Sequence, residues 1–157
     1  MTWRMETLDE RFIAAARGRG VDALGQPARR LQARGGEPLR DGLRRARPGE
    51  RLLLASYSPF RLIGPYREYG PVFLGAEPDL ETLPSLDALL EASGGYLGDS
   101  MALRAYDAGQ LMIEAAVLPR AELAACLARW TSRSDIAFAM LRYPAHGCYA
   151  LRLNRDA

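Results

Sequence analysis

Between Arg51 and Pro78 the chain reads RLLLASYSPFRLIGPYREYGPVFLGAEP. Two short apolar runs, Leu52-Leu53-Leu54-Ala55 and Val72-Phe73-Leu74, bracket an arm broken by Pro59, Gly64-Pro65 and Gly70-Pro71. Apolar runs this short suit strands covered on both faces. The arm between them cannot be a long helix or a central strand, because proline fixes φ and lacks a backbone donor. It must leave the sheet and return, anchored at both ends. The arm and its anchors hold Tyr57, Phe60, Tyr66, Tyr69 and Phe73, so this stretch is expected to form the middle of the core and the rim of any pocket.

Around it the periodicities alternate between sheet and helix. Thr2–Thr7 reads as an edge strand, and Asp9 as the cap of a helix reaching about Arg17, with Leu8 stapled to Phe12 or Ile13. Ala28–Ala33 is a weak strand. Pro38–Ala46 reads as a short helix with Leu39, Leu43 and Ala46 on one face. A further helix starts at Pro84 and stops at Gly94-Gly95. Met101–Tyr106 and Gln110–Leu118 flank Asp107-Ala108-Gly109, a hairpin with Gly109 at the left-handed position. Pro119 opens the clearest helix, with Leu123, Cys126, Leu127 and Trp130 on one face. Ile136–Leu141 is apolar on both faces and reads as a central strand. The turn Tyr143–Gly147 leads into Cys148–Asn154, with Tyr149, Leu151 and Leu153 facing in and Arg152 and Asn154 facing out. These six or seven strands and three or four helices predict an α+β fold: a single domain over residues 1–157, mostly antiparallel sheet with packed helices.

At 157 residues, 48% hydrophobic and 25% charged, such a chain hides enough surface to need no disulfide or metal staple. No apolar stretch is long enough to span a bilayer, and MTWRMETLDERF is not a signal sequence, so no membrane partner is expected. Two cysteines, Cys126 and Cys148, fit a reducing, cytoplasmic location. All basic residues are arginine, which a GC-rich bacterial genome explains better than any special use of arginine chemistry. Eight arginines crowd Arg29–Arg51 and eight acids crowd Glu77–Glu114, which predicts a basic side and an acidic side. The Arg29–Arg51 face could touch phosphates, but it lacks interleaved aromatics and any reading motif, so nucleic acid is not the expected partner.

Several blocks occur together in order: Gly25-Gln26-Pro27; Leu53–Phe60 followed by Gly64-Pro65-Tyr66; Gly70–Pro78; Arg104-Ala105-Tyr106-Asp107; and Gly147-Cys148-Tyr149. Together they resemble the bacterial family known as domain of unknown function 1203, over nearly the whole chain. The family has no established activity, so the resemblance implies a fold unit without a function. It also implies a contrast. Family members often show Pro-Cys-Arg-His-Cys where this chain has Pro38-Leu39-Arg40-Asp41-Gly42, and His-Ala-Glu-Pro-Cys where it has Gly75-Ala76-Glu77-Pro78-Asp79. Those cysteines and histidines would make a tetrahedral zinc set. Here they are replaced, and Asp41 with Asp79 is a poor zinc donor pair, so a divergent member without metal or other cofactor is expected.

The arm mixes flat hydroxylated rings with fixed charge. Apolar walls with a few convergent polar groups suit a small ligand. Tyr57, Arg61, Tyr66, Tyr69 and Glu77 are therefore the candidate lining, although the same aromatics also suit a loop simply pinned to the core. His146 and Cys148, two apart, could be a base and a nucleophile, or a turn histidine and a strand cysteine with no chemical use; no orienting acid is close in sequence. Cys126 reads as a buried small hydrophobe. The expected role is a non-catalytic module binding a small molecule or a protein. The alternatives are a small enzyme using the Tyr/Arg/Glu arm and a nucleic-acid contact through Arg29–Arg51.

Overall fold

A computed structural model describes residues 2–91 and 95–156. Among these, the elements in chain order are β1 (Trp3–Glu6), α1 (Glu10–Gly18), β2 (Arg29–Gln32), β3 (Pro38–Leu39), β4 (Arg44–Arg45), β5 (Arg51–Tyr57), β6 (Gly70–Gly75), α2 (Leu86–Glu91), β7 (Ser100–Tyr106), β8 (Met112–Pro119), α3 (Arg120–Thr131), β9 (Phe138–Arg142) and β10 (Tyr149–Arg155). The stop expected for α2 at Gly94 lies outside the described residues.

The expected sheet is two sheets, each of five strands, in the orders β1-β10-β9-β7-β8 and β2-β5-β6-β3-β4. All pairings are antiparallel except β3 with β6, which run parallel through Leu39 opposite Phe73. The two apolar runs are β5 and β6, paired so that Leu54 faces Phe73 and Leu53 faces Leu74. Two helices cover one face of the first sheet: Leu89, Leu90, Leu123, Cys126, Leu127 and Trp130 pack on Leu103, Leu141 and Leu153. Its other face meets the second sheet. There Tyr106, Phe138 and Met140 pack with Leu53, Tyr57, Val72 and Leu74, and α1 adds Phe12 and Ala16. The fold is α+β.

Three local expectations change. Pro38–Ala46 is a two-strand hairpin, not a helix, with Leu43 at φ 52°. Leu39, Leu43 and Ala46 are all buried, so the apolar spacing is real. Tertiary pairing of β3 with β6, and the inward turn of Arg40, override a weak helical preference. In the β7–β8 hairpin the left-handed residue is Gln110, at φ 65°, not Gly109. Strain there is offset because the buried Gln110 amide accepts from the backbone N–H of Arg61 (2.8 Å) and Leu62 (2.9 Å) and donates to the Leu62 carbonyl (2.8 Å). It thereby ties the Pro/Tyr arm to the first sheet. Lastly, Arg152 and Asn154 do not face solvent. β10 lies between β1 and β9 with both faces covered, so they point to the second sheet, where Arg152 stacks 3.8 Å from the Phe138 ring centroid and Asn154 donates to Glu6. An irregularity between Tyr149 and Leu151 puts Tyr149 in the inter-sheet core, while Leu151 joins the helix-side core.

The expected basic and acidic sides are zipped together. Arg44 pairs with Glu50 (2.7 Å) and Asp79 (2.9 Å), Arg47 with Glu81 (2.6 Å), and Arg51 with Glu77. No helix is long and apolar enough to cross a membrane among the described residues.

Candidate functional site

The five residues singled out on the arm are not gathered in one place. Tyr57 is buried at the end of β5, its hydroxyl accepting the Asp9 N–H at 3.1 Å and its ring 4.7 Å from Phe12 and 5.5 Å from Tyr149. Burial pushes that hydroxyl up to about 12. Tyr69 stands exposed with the Arg67 guanidinium over its ring. Tyr57 and Tyr69 line one small cavity. Arg61 is drawn away by an ion pair with Glu6, and Tyr66 lies edge-on to Tyr106 at 6.3 Å. Glu77 belongs to a different, ion-pair-lined groove with Arg44, Glu50 and Arg51.

The cavity holding Tyr57 and Tyr69, about 200 Å³, adjoins one of about 450 Å³, and Pro71, His146 and Cys148 are common to both. Together they form a cleft between the second sheet and the turn joining β9 to β10. One wall is Leu54, Pro71 and Phe73 of β5 and β6, half-exposed side chains on the face of the second sheet turned away from the inter-sheet core. The other wall is the turn joining β9 to β10. Gly147 takes the left-handed φ of 71° that this turn requires, and its N–H bonds the Tyr143 carbonyl at 2.7 Å. That closure brings Tyr143, His146 and Cys148 to the opening. The end is closed by Arg40, just after β3, and Arg45 in β4. Both guanidinium carbons lie over the Tyr143 ring, 5.4 and 5.3 Å from its centroid. The Tyr143 hydroxyl donates to the Tyr96 carbonyl at 2.6 Å, and burial pushes it up to about 12.

The charge of the larger cavity is uncompensated among the described residues. Arg40, 1% exposed, donates to the Tyr149 carbonyl (2.8 Å), the Pro38 carbonyl (2.9 Å) and the Cys148 sulfur (3.1 Å). Arg45 donates to the carbonyls of Gly95, Gly36 and Tyr96. Neither pairs with a carboxylate among the described residues, and no acid lines the larger cavity. Nearby, Arg142 pairs with Glu68 through Nη2 and donates to the Gly147 carbonyl at 3.1 Å, but its buried Nε–H has no acceptor among the described residues. A desolvated cation with only neutral partners is costly. An open depression of about 460 Å³, lined by Asp22, Gln26, Pro27 and Arg29, borders the cleft through Leu54 and Pro71. Its one carboxylate is already engaged: Asp22 accepts from Leu24 and Gln26 N–H and from the Gln26 amide. The less open, apolar, positively charged cleft is the better site.

Arg40, Arg45, Arg142 and Tyr143 were not legible as a group. The available signal was the odd placement of Arg40 in the apolar run Pro38-Leu39, but its inward turn depends on contacts 109 residues away.

The positions where the resemblance implies zinc ligands do converge, apart from Leu39, which is in the core. A Cβ on Gly42 would press on the Asp79 carboxylate, and one on Gly75 would stand 3.4 Å from that of Asp41. The residues present do not fit a metal. Asp41 receives the Arg17 guanidinium at 2.7 Å and the Gly75 N–H at 3.2 Å; Asp79 receives Arg44 at 2.9 Å and the Glu81 N–H at 2.9 Å. Their oxygens are committed to organic cations, and no metal-competent group of three or more His, Cys, Asp or Glu occurs among the described residues. Burial raises the Asp41 carboxyl above its ordinary value, against the opposing pull of the Gly75 N–H and Arg17.

Comparison with curated proteins and with solved structures returned no match. A family model described as protein of unknown function (DUF1203) matches residues 36–155, a span that takes in four of the five strands of each sheet and every residue lining the larger cavity. On that match, the chain belongs to the DUF1203 family of proteins of unknown function.

Proposed function

We propose that this protein is a small-ligand-binding module of the bacterial cytosol whose site is the cleft between the second sheet and the β9–β10 turn, and that its ligand is a small organic anion with an apolar body. One observation carries the reading: Arg40 is buried, and with Arg45 it closes the larger, apolar part of the cleft, where no carboxylate among the described residues balances either charge. A bound carboxylate, sulfonate or phosphate supplies the missing counter-charge through forked guanidinium donors, while Leu54, Pro71 and Phe73 take the hydrocarbon part. Tyr57 and Tyr69 contribute at the smaller end of the cleft. Arg61, Tyr66 and Glu77 are outside it and keep to the arm and its ion pairs. The bacterial and cytosolic parts of the reading rest on the resemblance, the lysine-free composition and the two free cysteines.

The test is a thermal-shift panel pairing small aliphatic and aromatic carboxylates with their neutral amides. A ligand at about 100 times its Kd stabilises by about 2.7 kcal/mol. For a chain of this size that is a rise of roughly 5–10 °C. Carboxylates that raise the melting temperature while their amides do not, with the rise diminished in Arg45→Gln, support the reading. Amides that act as well as the acids, or a shift untouched in Arg45→Gln, overturn it.

A further inference from the structure

Cys148 stands where the two parts of the cleft meet. It is half-buried and free, and its sulfur accepts the Arg40 Nη2–H at 3.1 Å. The other cysteine, Cys126, is 3% exposed on the face of α3 that packs against the first sheet. A thiol alone indicates nothing. Beside this one, however, Arg142 is 4% exposed in the wall of the same cleft; its Nη groups bond Glu68, the Gly147 carbonyl and the Met140 sulfur, but its Nε–H has no acceptor among the described residues. Its only carboxylate partner among the described residues, Glu68, is half-exposed and reaches in from the arm. A competing anion that displaces Glu68 gains a guanidinium already desolvated. Cationic groups thus stand on both sides of the sulfur, Arg40 and Arg45 toward the larger cavity and Arg142 toward the smaller.

We propose that Cys148 is a site of thiol–disulfide exchange with a low-molecular-weight anionic disulfide. The proposal rests on the reading of the cleft as an anion site. The disulfide lies along the cleft with one acidic end toward Arg40 and Arg45 and the other toward Arg142. The Cys148 sulfur attacks the nearer sulfur; the new S–S bond forms as the old one breaks. The thiol proton ends on the departing sulfur, so that Cys148–SH and R–S–S–R give Cys148–S–S–R and R–SH, with no other oxidant. The Arg40 donor meets the negative charge spread over the sulfurs during transfer. Cys126 is sealed in the helix-side core, so the mixed disulfide persists until an external thiol reverses it. Exchange therefore fills the cleft covalently and makes ligand access redox-dependent.

The experiment treats the reduced full chain with glutathione disulfide, which is net anionic, or with cystamine, which is cationic, and follows adducts by intact mass and peptide mapping. The expected result is a single adduct at Cys148, absent in Cys148→Ser. Glutathione disulfide should react at least about tenfold faster than cystamine at low salt, with the ratio shrinking as salt is added. In Arg45→Gln the anionic rate should fall toward the cationic one. Failure of Cys148 to react in the folded chain while it reacts after denaturation overturns the proposal, as does equal reactivity toward the two disulfides in the unsubstituted protein. The two readings separate cleanly. Carboxylates that raise the melting temperature while Cys148 stays unmodified sink the exchange alone; exchange with anionic preference and no carboxylate shift sinks the reversible-ligand reading alone.

Discussion

Replacing Arg17 by methionine keeps the aliphatic stem at the end of α1 but removes two bonds, one to the Gly75 carbonyl at 3.1 Å and one to the Asp41 carboxylate at 2.7 Å. The side chain of Asp41 is 7% exposed, so little water can replace the guanidinium. Losing a donor to a carbonyl costs about 1 kcal/mol. Leaving a buried carboxylate without its cation costs about 3–5 kcal/mol. Asp41 keeps the Gly75 N–H at 3.2 Å, which lessens the second figure, while Asp79 nearby adds like charge. The net expectation for Arg17→Met near pH 7 is a loss of about 3–5 kcal/mol. Burial already raises the Asp41 carboxyl, and without Arg17 it rises further. An acid whose folded pKa lies above its unfolded one binds the proton more tightly when folded, so its penalty grows as pH rises through the folded value and fades below the unfolded one. Urea unfolding at about pH 7 and about pH 4 should show the Arg17→Met deficit shrinking in acid, with unchanged m. Adding Asp41→Asn should restore most of the loss, a coupling of about 2 kcal/mol or more. A deficit under about 1 kcal/mol, one that is equal at both pH values, or simple additivity of the two substitutions refutes the claim that this ion pair clamps α1 to the second sheet.

Two further outcomes are expected. Arg44 holds Glu50 down to about 2 through two bonds of 2.8 and 2.7 Å. The lowered carboxyl stabilises fully above its ordinary 4.5 and loses that contribution as pH falls toward about 2, so Glu50→Gln should flatten the acid limb of the stability curve; an acid limb identical to the parent's contradicts this. Protein purified without metal-chelating resin should contain far less than one zinc per chain by elemental analysis and keep its melting temperature in chelator, because Asp41 and Asp79 are already held by Arg17 and Arg44; near-stoichiometric zinc would show otherwise.

The parts of the fold that could be read from the chain are those set by local pattern. The runs now seen as β5 and β6, the β7–β8 hairpin, the α3 stripe and the buried β9 all follow from periodicity and punctuation. The parts that could not be read depend on what covers a face. Arg152 and Asn154 sit on the polar phase of an alternating strand, and only the second sheet lying over them makes those positions buried. Pro38–Ala46 has helical spacing, yet each apolar residue reaches the core from a hairpin because β6 offers β3 a pairing edge. The site is legible in the same uneven way. The tyrosines of the arm mark the region, and His146 with Cys148 mark its rim. The charges that define it, Arg40 and Arg45, are indistinguishable in sequence from the six other arginines of the Arg29–Arg51 run; what separates them in the structure is the lack of a carboxylate that Arg44, Arg47 and Arg51 each possess, and a burial that the exposed Arg29, Arg30 and Arg34 do not share.

The two sheets differ in how their strands are spread along the chain. The second is drawn wholly from residues 29–75, and its pairings are with near neighbours in sequence. The first joins β1 to β10, placing Trp3 opposite Arg155. During vectorial synthesis at the ribosome, the second sheet has all its strands once residue 75 has emerged. Trp3 and Met5 must wait with their apolar side chains uncovered until nearly the whole chain has followed. Closing so distant a pair is slow. A nascent chain stalled after β9 would thus carry a formed second sheet and a first sheet missing the strand between β1 and β9, its longest-lived exposure to chaperones and to misassociation.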